Sequence, residues 1–406
     1  MIRNKNIVIV GLQPWDIEIG SNCKNIAIEL SKCNNVLYVN APVDRYTLIK
    51  EKNNPRIIKR LNIMKGEQQL FQVSERMWNL YPKSVISSIN WIPFTSAFRL
   101  INWINNKKFA ADIKRAIVDL SFDEFILFID SDMFRSYYLK EFLQPSVTVY
   151  YSRDNLIAVG YWRKHGKTLE PELMKKCDLV VTNSPYLTSL SKKYNPQSFY
   201  VGQGCDLSIF GYKQQRQVPK DFPNVDGPVI GYIGAIISNR LDINLLLELC
   251  SKKQDWNFVF VGPADIEFTN SGLSELKNVY FLGLKSGDQL PDYLACFDIA
   301  INPQLINEMT IGNYPRKIDE YLAMGKPVVA TATETMSIFG DLVYLGKTVD
   351  DYIKFIEIAL NEDHSKLFDK RVALANAHTW ENSVQEISNA IVKTKPELFP
   401  DAVAPI

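Results

Sequence analysis

Short apolar runs that stop at glycine, with helical patterns between them, constrain the second half of this chain more than any other feature. The runs at 229–233, 256–261, 279–282, 299–301 and 328–330 are continuous and of strand length, and helical patterns cover 242–250 and 290–296. Apolar runs without alternation belong to strands buried on both faces, the pattern of a parallel sheet covered by helices. Gly234, Gly262 and Gly283 follow the first three runs, and doubly wound sheets bind their ligands at strand C-terminal ends. The rhythm predicts an α/β fold built on a doubly wound parallel sheet.

Within this half, 314–331 is the most informative stretch. It reads as loop, short helix, stop and buried strand. Pro315 suits a first helical position, where its missing N–H costs nothing. Ile318, Tyr321 and Leu322 share one apolar face, and Gly325 with Pro327 ends the helix. Arg316 and Lys317 fall in the first turn, where the free N–H groups and the dipole already favour an anion. Glu320 lies four residues after Arg316, on the same side. A phosphate at the helix start with a diol one turn deeper accounts for all three. A solvated helix start with an Arg–Glu pair is the plainer alternative.

The first half has the same rhythm. Runs at 7–10 and 36–39 enclose a loop and a helix, a βαβ unit. No G-x-G-x-x-G is present, but the loop ends in Gly20-Ser21, where a ligand could approach the backbone. Further strand runs lie at 125–129, 147–151 and 178–182. The Gly-rich turn near 202–206, followed by polar Pro- and Gln-containing sequence, marks the best domain boundary. Charge divides there too. Residues 1–206 hold 28 Lys+Arg against 19 Asp+Glu, and the remainder 18 against 26, so a net charge of +1 hides a basic and an acidic half. We expect an N-terminal domain over 1–208, a C-terminal domain over 209–376, and a last helix and tail over 377–406.

Residues 45–115 are basic and interleaved with Phe71, Trp78, Tyr81, Trp91, Phe94, Phe98 and Trp103. That mixture suits an amphipathic surface on an anionic membrane. A helical insertion packing its aromatics on the core is the alternative, and no nucleic-acid reader motif is present. Asp130-Ser-Asp132 follows the 125–129 run. Two carboxylates at a strand end can hold a divalent cation against a diphosphate, but the same pattern serves as loop chemistry or a helix cap. Asp154, at a strand end, is a candidate to meet a hydroxyl, and Asp130 is another. His165 reads as a loop histidine within reach of a cleft, while His364 and His378 read as surface or capping residues. Six scattered cysteines without a C-x-x-C pair fit a reducing compartment. With no signal peptide and no membrane-span pattern, a cytoplasmic location is expected.

Taken together, 231–235 with Arg240, 281–283, 297–303 and Pro315-Arg-Lys…Glu320-Tyr-Leu-Ala-Met-Gly-Lys-Pro-Val-Val resemble the GT-B-fold glycosyltransferases. The likeness is to the family 4 type, of capsule, teichuronic acid and exopolysaccharide assembly. Residues 170–184 and 204–210 resemble the stretch which that family carries before its domain hinge. The resemblance implies two Rossmann-like domains and a C-terminal helix crossing back to the first. It implies a nucleoside-diphosphate (UDP- or GDP-) sugar donor held by the C-terminal domain, through Gly234 and Gly283, Arg240, Arg316, Lys317 and Glu320. Gly20 would approach the phosphates from the N-terminal domain. The acceptor would be a saccharide or a polyprenyl-linked saccharide, the configuration would be retained, and no metal or other cofactor would be needed. Two departures stand out: Gly312 occupies a position where the family often has a glutamate, with Glu308 four residues upstream, and Gln203-Gly-Cys205 replaces the commoner Asn-Gly-Val. The alternatives implied are a metal-dependent transferase using Asp130 and Asp132, a nucleotide-sugar 2-epimerase, and a non-catalytic binding subunit.

Overall fold

The computed structural model describes residues 1–16, 21–66 and 68–400. They form two compact units: Met1–Gly202 together with the chain from Trp380, and Gln203–Thr379. The first boundary thus falls at 202 rather than 208, and the chain returns at 380 rather than 377.

In the N-terminal unit the strands are β1 (Asn6–Gly11), β2 (Asn35–Asn40), β3 (Val43–Asp44), β4 (Leu70–Ser74), β5 (Met77–Leu80), β6 (Val85–Ile86), β7 (Phe125–Asp130), β8 (Val147–Ser152), β9 (Leu179–Thr182) and β10 (Ser198–Tyr200). Eight of them make one sheet in the order β10-β9-β8-β7-β1-β2-β5-β4, and β3 pairs with β6 apart from it. Every neighbouring pair is parallel except the β4–β5 hairpin. Side chains alternate between two buried faces, as the period of two requires. Val8, Val10, Leu37, Val39, Leu127 and Ile129 pack under the helices Thr95–Asp119 and Gly160–Lys176. On the other face Ile7, Ile9, Val36 and Tyr38 meet the helix Asn22–Ser31 and Val384, Ile387 and Ile391 of the last helix, Trp380–Thr394. The C-terminal helix therefore belongs to the N-terminal core.

Residues 45–115 are not a purely helical insertion, because β4 and β5 extend the main sheet. Their aromatics divide. Phe98 and Tyr81 are buried, whereas Trp91 is 75% and Phe94 70% exposed.

The C-terminal unit holds β11 (Val229–Ile233), β12 (Asn257–Val261), β13 (Val279–Gly283), β14 (Ile299–Asn302), β15 (Val328–Thr331) and β16 (Tyr344–Gly346). All pairs are parallel and the order is β13-β12-β11-β14-β15-β16. The direction of winding reverses between β11 and β14, and that switch point is where such sheets open a crevice for ligands.

Candidate functional site

Three strand ends beside this switch point turn on glycine. The Gly234 N–H donates to the Val261 carbonyl (2.9 Å) and the Gly262 N–H to the Gly283 carbonyl (2.9 Å), so β11, β12 and β13 end as one tied edge. Gly262 has φ 145°, and a Cβ there would lie 2.0 Å from the Gly234 oxygen. Gly234 has φ 139°, and its Cβ would lie 2.6 Å from Lys317 Nζ. Only glycine has the backbone freedom and the size for either position. The space in front of Gly283 is open.

The helix Lys317–Ala323 is bolted to this edge. Tyr321 Oη accepts the Ile233 N–H (2.9 Å), and Lys317 Nζ donates to Tyr232 Oη. Burial pulls the Lys317 ammonium down to about 7, Glu320 working against the shift and Arg240 with it. Burial also pushes the Glu320 carboxyl above its usual range, against Arg316 and Lys317. Arg240 stands on a loop held by the Asp242 N–H to the Pro303 carbonyl (2.9 Å) and the Leu305 N–H to its own carbonyl (2.8 Å). Among the described residues, the Arg240 and Arg316 guanidinium groups and the Glu320 carboxylate have no hydrogen-bond partner. Three cations and a carboxylate so placed suit a diphosphate and a nearby diol.

The loop over 304–313 beside Arg240 is ordered by its own side chains. Asn307 Oδ1 accepts the N–H groups of Met309 (2.9 Å) and Thr310 (3.0 Å), and Asn307 Nδ2 donates to the Asn239 carbonyl (2.9 Å). Gly312 is buried and Glu308 exposed.

Behind the helix lies a polar cluster that sequence reading did not find. The buried Asp319 accepts from Cys205 Sγ (3.1 Å) and Tyr314 Oη (2.8 Å), and its other oxygen lies 2.6 Å from His378 Nδ1. The Cys205 N–H donates to the His378 carbonyl (3.0 Å). His378 does cap the helix His364–Ala377, as expected, and its ring also serves Asp319.

In the N-terminal unit Arg153 bridges two candidates. Its Nε donates to Asp130 (2.9 Å) and its Nη1 to Asp154 (2.8 Å). Asp130 is fully buried and also accepts the Leu12 N–H (3.3 Å), whereas the Asp154 side chain is 42% exposed. Asp132 is paired separately, with Arg135 (2.6 Å), and accepts the Arg135 N–H (2.9 Å). His165 is not a loop residue. It sits inside the helix Gly160–Lys176, fully buried, stacked on Phe98 at 4.1 Å. Its Nδ1 lies 3.2 Å from Thr95 Oγ1 and its Nε2 3.0 Å from the Ile92 carbonyl, so both nitrogens are engaged in packing. Gly20 lies outside the described residues.

Residues 227–354 match the family model of the group 1 glycosyl transferases. Over 241 residues the chain is 28% identical to TuaH of Bacillus subtilis (strain 168), a protein assigned to teichuronic acid biosynthesis as a glycosyltransferase. That match covers 56% of this chain and 60% of the relative's length. Sucrose-phosphate synthase from Thermosynechococcus elongatus superposes with a TM-score of 0.66 at 14% identity, over 97% of this chain and 100% of that one. Anabaena HepE in complex with UDP and glucose gives 0.62 at 12%, over 96% and 100%. An Escherichia coli structure in the trehalose-6-phosphate series, bound with UDP-2-fluoro glucose, gives 0.64 at 10%, over 95% and 99%. The chain has the GT-B glycosyltransferase fold.

Within this GT-B chain the matched model spans the glycine edge, Arg240 and the helix carrying Lys317 and Glu320. Tyr232, Asp319 and Tyr314 escaped sequence reading because aromatic and acidic residues beside apolar runs carry no period of their own. Gln203-Gly-Cys205, noted as a departure, was the one available signal for the Asp319 cluster. The family model, over 227–354, does not reach the cavity of the N-terminal unit described below.

Proposed function

We propose that the protein transfers a sugar from a nucleoside-diphosphate sugar, UDP- or GDP-linked, to a saccharide acceptor, and that its C-terminal unit binds the donor. The observation that carries this reading is the group at the switch-point edge: the Arg240 and Arg316 guanidinium groups and the Glu320 carboxylate without hydrogen-bond partners among the described residues, beside the buried Lys317 ammonium held on Tyr232 Oη. In the reaction the bond between the anomeric carbon and the diphosphate breaks, and the diphosphate leaves with the electron pair. Arg316, Lys317 and Arg240 neutralise that developing charge in a partly dry site. Glu320 accepts hydrogen bonds from the ribose hydroxyls, and Gly283 leaves room for the base. An acceptor hydroxyl bonds to the anomeric carbon and gives up its proton, with Asp154 the candidate to receive it. The solved neighbours holding UDP or a UDP-sugar support the choice of nucleotide. On the strength of the family resemblance, we propose that configuration is retained and that no metal is needed.

Calorimetry with UDP and GDP tests the reading. Glu320→Ala and Arg316→Ala are expected to weaken nucleotide binding at least tenfold, and unchanged affinity in both variants would sink the donor assignment. Full turnover in EDTA would exclude a metal centre at Asp130 and Asp132. Turnover of the donor without acceptor would favour the epimerase reading.

The acceptor is proposed to be lipid-linked and met at the inner membrane face. No helix among the described residues is long and apolar enough to cross a membrane. Ile49, Trp91, Phe94 and Leu100 are exposed in the basic 45–115 segment, near in sequence to Lys50, Lys52 and Lys107. Apolar side chains among lysines suit an anionic lipid surface. Salt-sensitive binding to anionic vesicles is expected, and no binding at low salt would remove this part of the proposal.

A further inference from the structure

The N-terminal unit contains a cavity of about 530 Å³ that no motif marked. Its volume falls within the range of about 300–1,000 Å³ typical of small-molecule sites. It is assembled from the segment after β2, the β6 region, the start of Thr95–Asp119, the turn after β7 and the start of Gly160–Lys176. From the cavity's chemistry we infer that it binds an uncharged sugar ring, the acceptor-side saccharide if the transferase reading holds.

Its walls are aromatic. Phe134 and Trp162 have ring centroids 4.8 Å apart, Tyr161 and Trp162 5.0 Å, and Phe98 closes the array 5.1 Å from Phe134. Phe98 and Phe134 are buried and hold Trp162 from behind, so the aromatic surface around Trp162 is presented at little entropic cost. The apolar C–H face of a pyranose matches such a wall, and its rim of hydroxyls needs donors and acceptors.

The polar groups supply them. Asn90 Nδ2 donates to the Tyr161 carbonyl (2.6 Å), while Asn90 Oδ1 is buried with no partner. A buried amide oxygen left unpaired is costly, and a hydroxyl donor would satisfy it. Arg135 spends its Nε on Asp132, and its two terminal nitrogens have no partner among the described residues. The Tyr161 hydroxyl likewise has none. A hydrocarbon tail would leave the buried Asn90 oxygen unsatisfied.

Charge sets the rest of the choice. Arg135 is already matched by the fully buried Asp132, and Asp44 lines the cavity as a second carboxylate. Asp44 is held there by Ser88, by Thr47 Oγ1 (2.7 Å) and by two backbone N–H groups. Lys50 and Lys164 stand at the rim, where they donate to Tyr46 Oη (2.9 Å) and the Trp91 carbonyl (3.2 Å). With the charges of both signs already engaged by protein groups, no cation is left over for a uronate or a phosphate and a neutral ring is the best fit.

The test uses the intact chain with a panel of methyl glycosides of neutral hexoses, N-acetylhexosamines and hexuronates, plus a short prenyl alcohol. Binding is read by saturation-transfer NMR and tryptophan fluorescence, with UDP binding measured on the same samples. A neutral glycoside is expected to bind at millimolar concentration. Trp162→Ala and Asn90→Ala should each weaken it tenfold or more while UDP affinity stays within twofold, and Tyr161→Phe, which keeps the wall, should weaken it less than Trp162→Ala. The inference is overturned if no neutral glycoside binds, if a hexuronate or the prenyl alcohol binds more tightly, or if both alanine variants bind as the parent does. UDP binding without glycoside binding would sink the cavity and leave the donor reading standing; the reverse result would do the opposite.

Discussion

The two units share one architecture, a parallel sheet covered by helices, yet they form pockets in different ways. In the C-terminal unit the candidate site is the sheet edge itself, with tied glycine turns and one short helix carrying Arg316, Lys317 and Glu320. In the N-terminal unit the strand ends are occupied by ion pairs, Arg153 with Asp130 and Asp154, and Arg135 with Asp132. The open cavity there is walled instead by side chains from five separate segments. A charged ligand can be met by backbone geometry and a few cations. A flat neutral one needs walls, and here the turn after β7 and the helix Gly160–Lys176 supply most of them.

Lys317→Met should give the largest effect. It removes a cation from a partly dry site, and a loss of about 3 kcal/mol, roughly 100-fold or more in kcat/KM for the nucleotide sugar, is expected from steady-state kinetics. Trp162→Ala should act on the acceptor KM instead. An equal effect of both changes on donor binding would break the contrast between the units.

Asp319→Ala should cost stability on a similar scale, about 3 kcal/mol, because buried partners lose their acceptor. Chemical denaturation is expected to report this loss, and a neutral result would show that the cluster is dispensable.

Glu170 offers the N-terminal counterpart. Its carboxyl is fully buried, accepts from Tyr150 Oη (2.8 Å), and burial pushes it up to about 7. The folded state therefore holds a proton which the unfolded chain has released, and stability falls as pH rises from about 4.5 through 7. Glu170→Gln keeps the acceptor without the charge, so it should stabilise the protein by about 2 kcal/mol at pH 8 and flatten the decline. Parallel melting curves for parent and variant would expose the opposite sign.

Lys317 titrates in the other sense. Lowered to about 7, it is neutral in much of the free protein above that pH and must take up a proton when an anion binds. Nucleotide affinity should fall up to about tenfold per pH unit above 7. Lys317→Arg, always charged, should remove that slope in calorimetric titrations. The smallest effect belongs to the surface: Phe94→Ser with Leu100→Ser should weaken binding to anionic vesicles several-fold and leave nucleotide affinity unchanged.

The C-terminal unit was the more legible in sequence for a physical reason. Its strands, glycines and helix lie in order along a short stretch, and the first three strand ends each leave a glycine behind. Arg316, Lys317 and Glu320 could be grouped by helical spacing alone. His165 was misplaced because Pro171 lies inside the helix Gly160–Lys176, and a proline within a helical pattern reads as a break. The β4–β5 hairpin was hidden among basic and polar residues, since an edge strand needs no continuous apolar run. Packing also explains why the cavity left no trace: Asn90, Arg135 and Trp162 are adjacent only after folding.

The Asp319 cluster has a consequence for where this chain can be cut. Cys205 lies just after the chain enters the C-terminal unit and His378 just before it leaves. The segment matching the glycosyl transferase model, 227–354, contains Asp319 and Tyr314 but neither of these partners. An excised piece with those ends would bury a carboxylate stripped of its thiol and imidazole, whereas one running from 203 to 379 would carry the whole set.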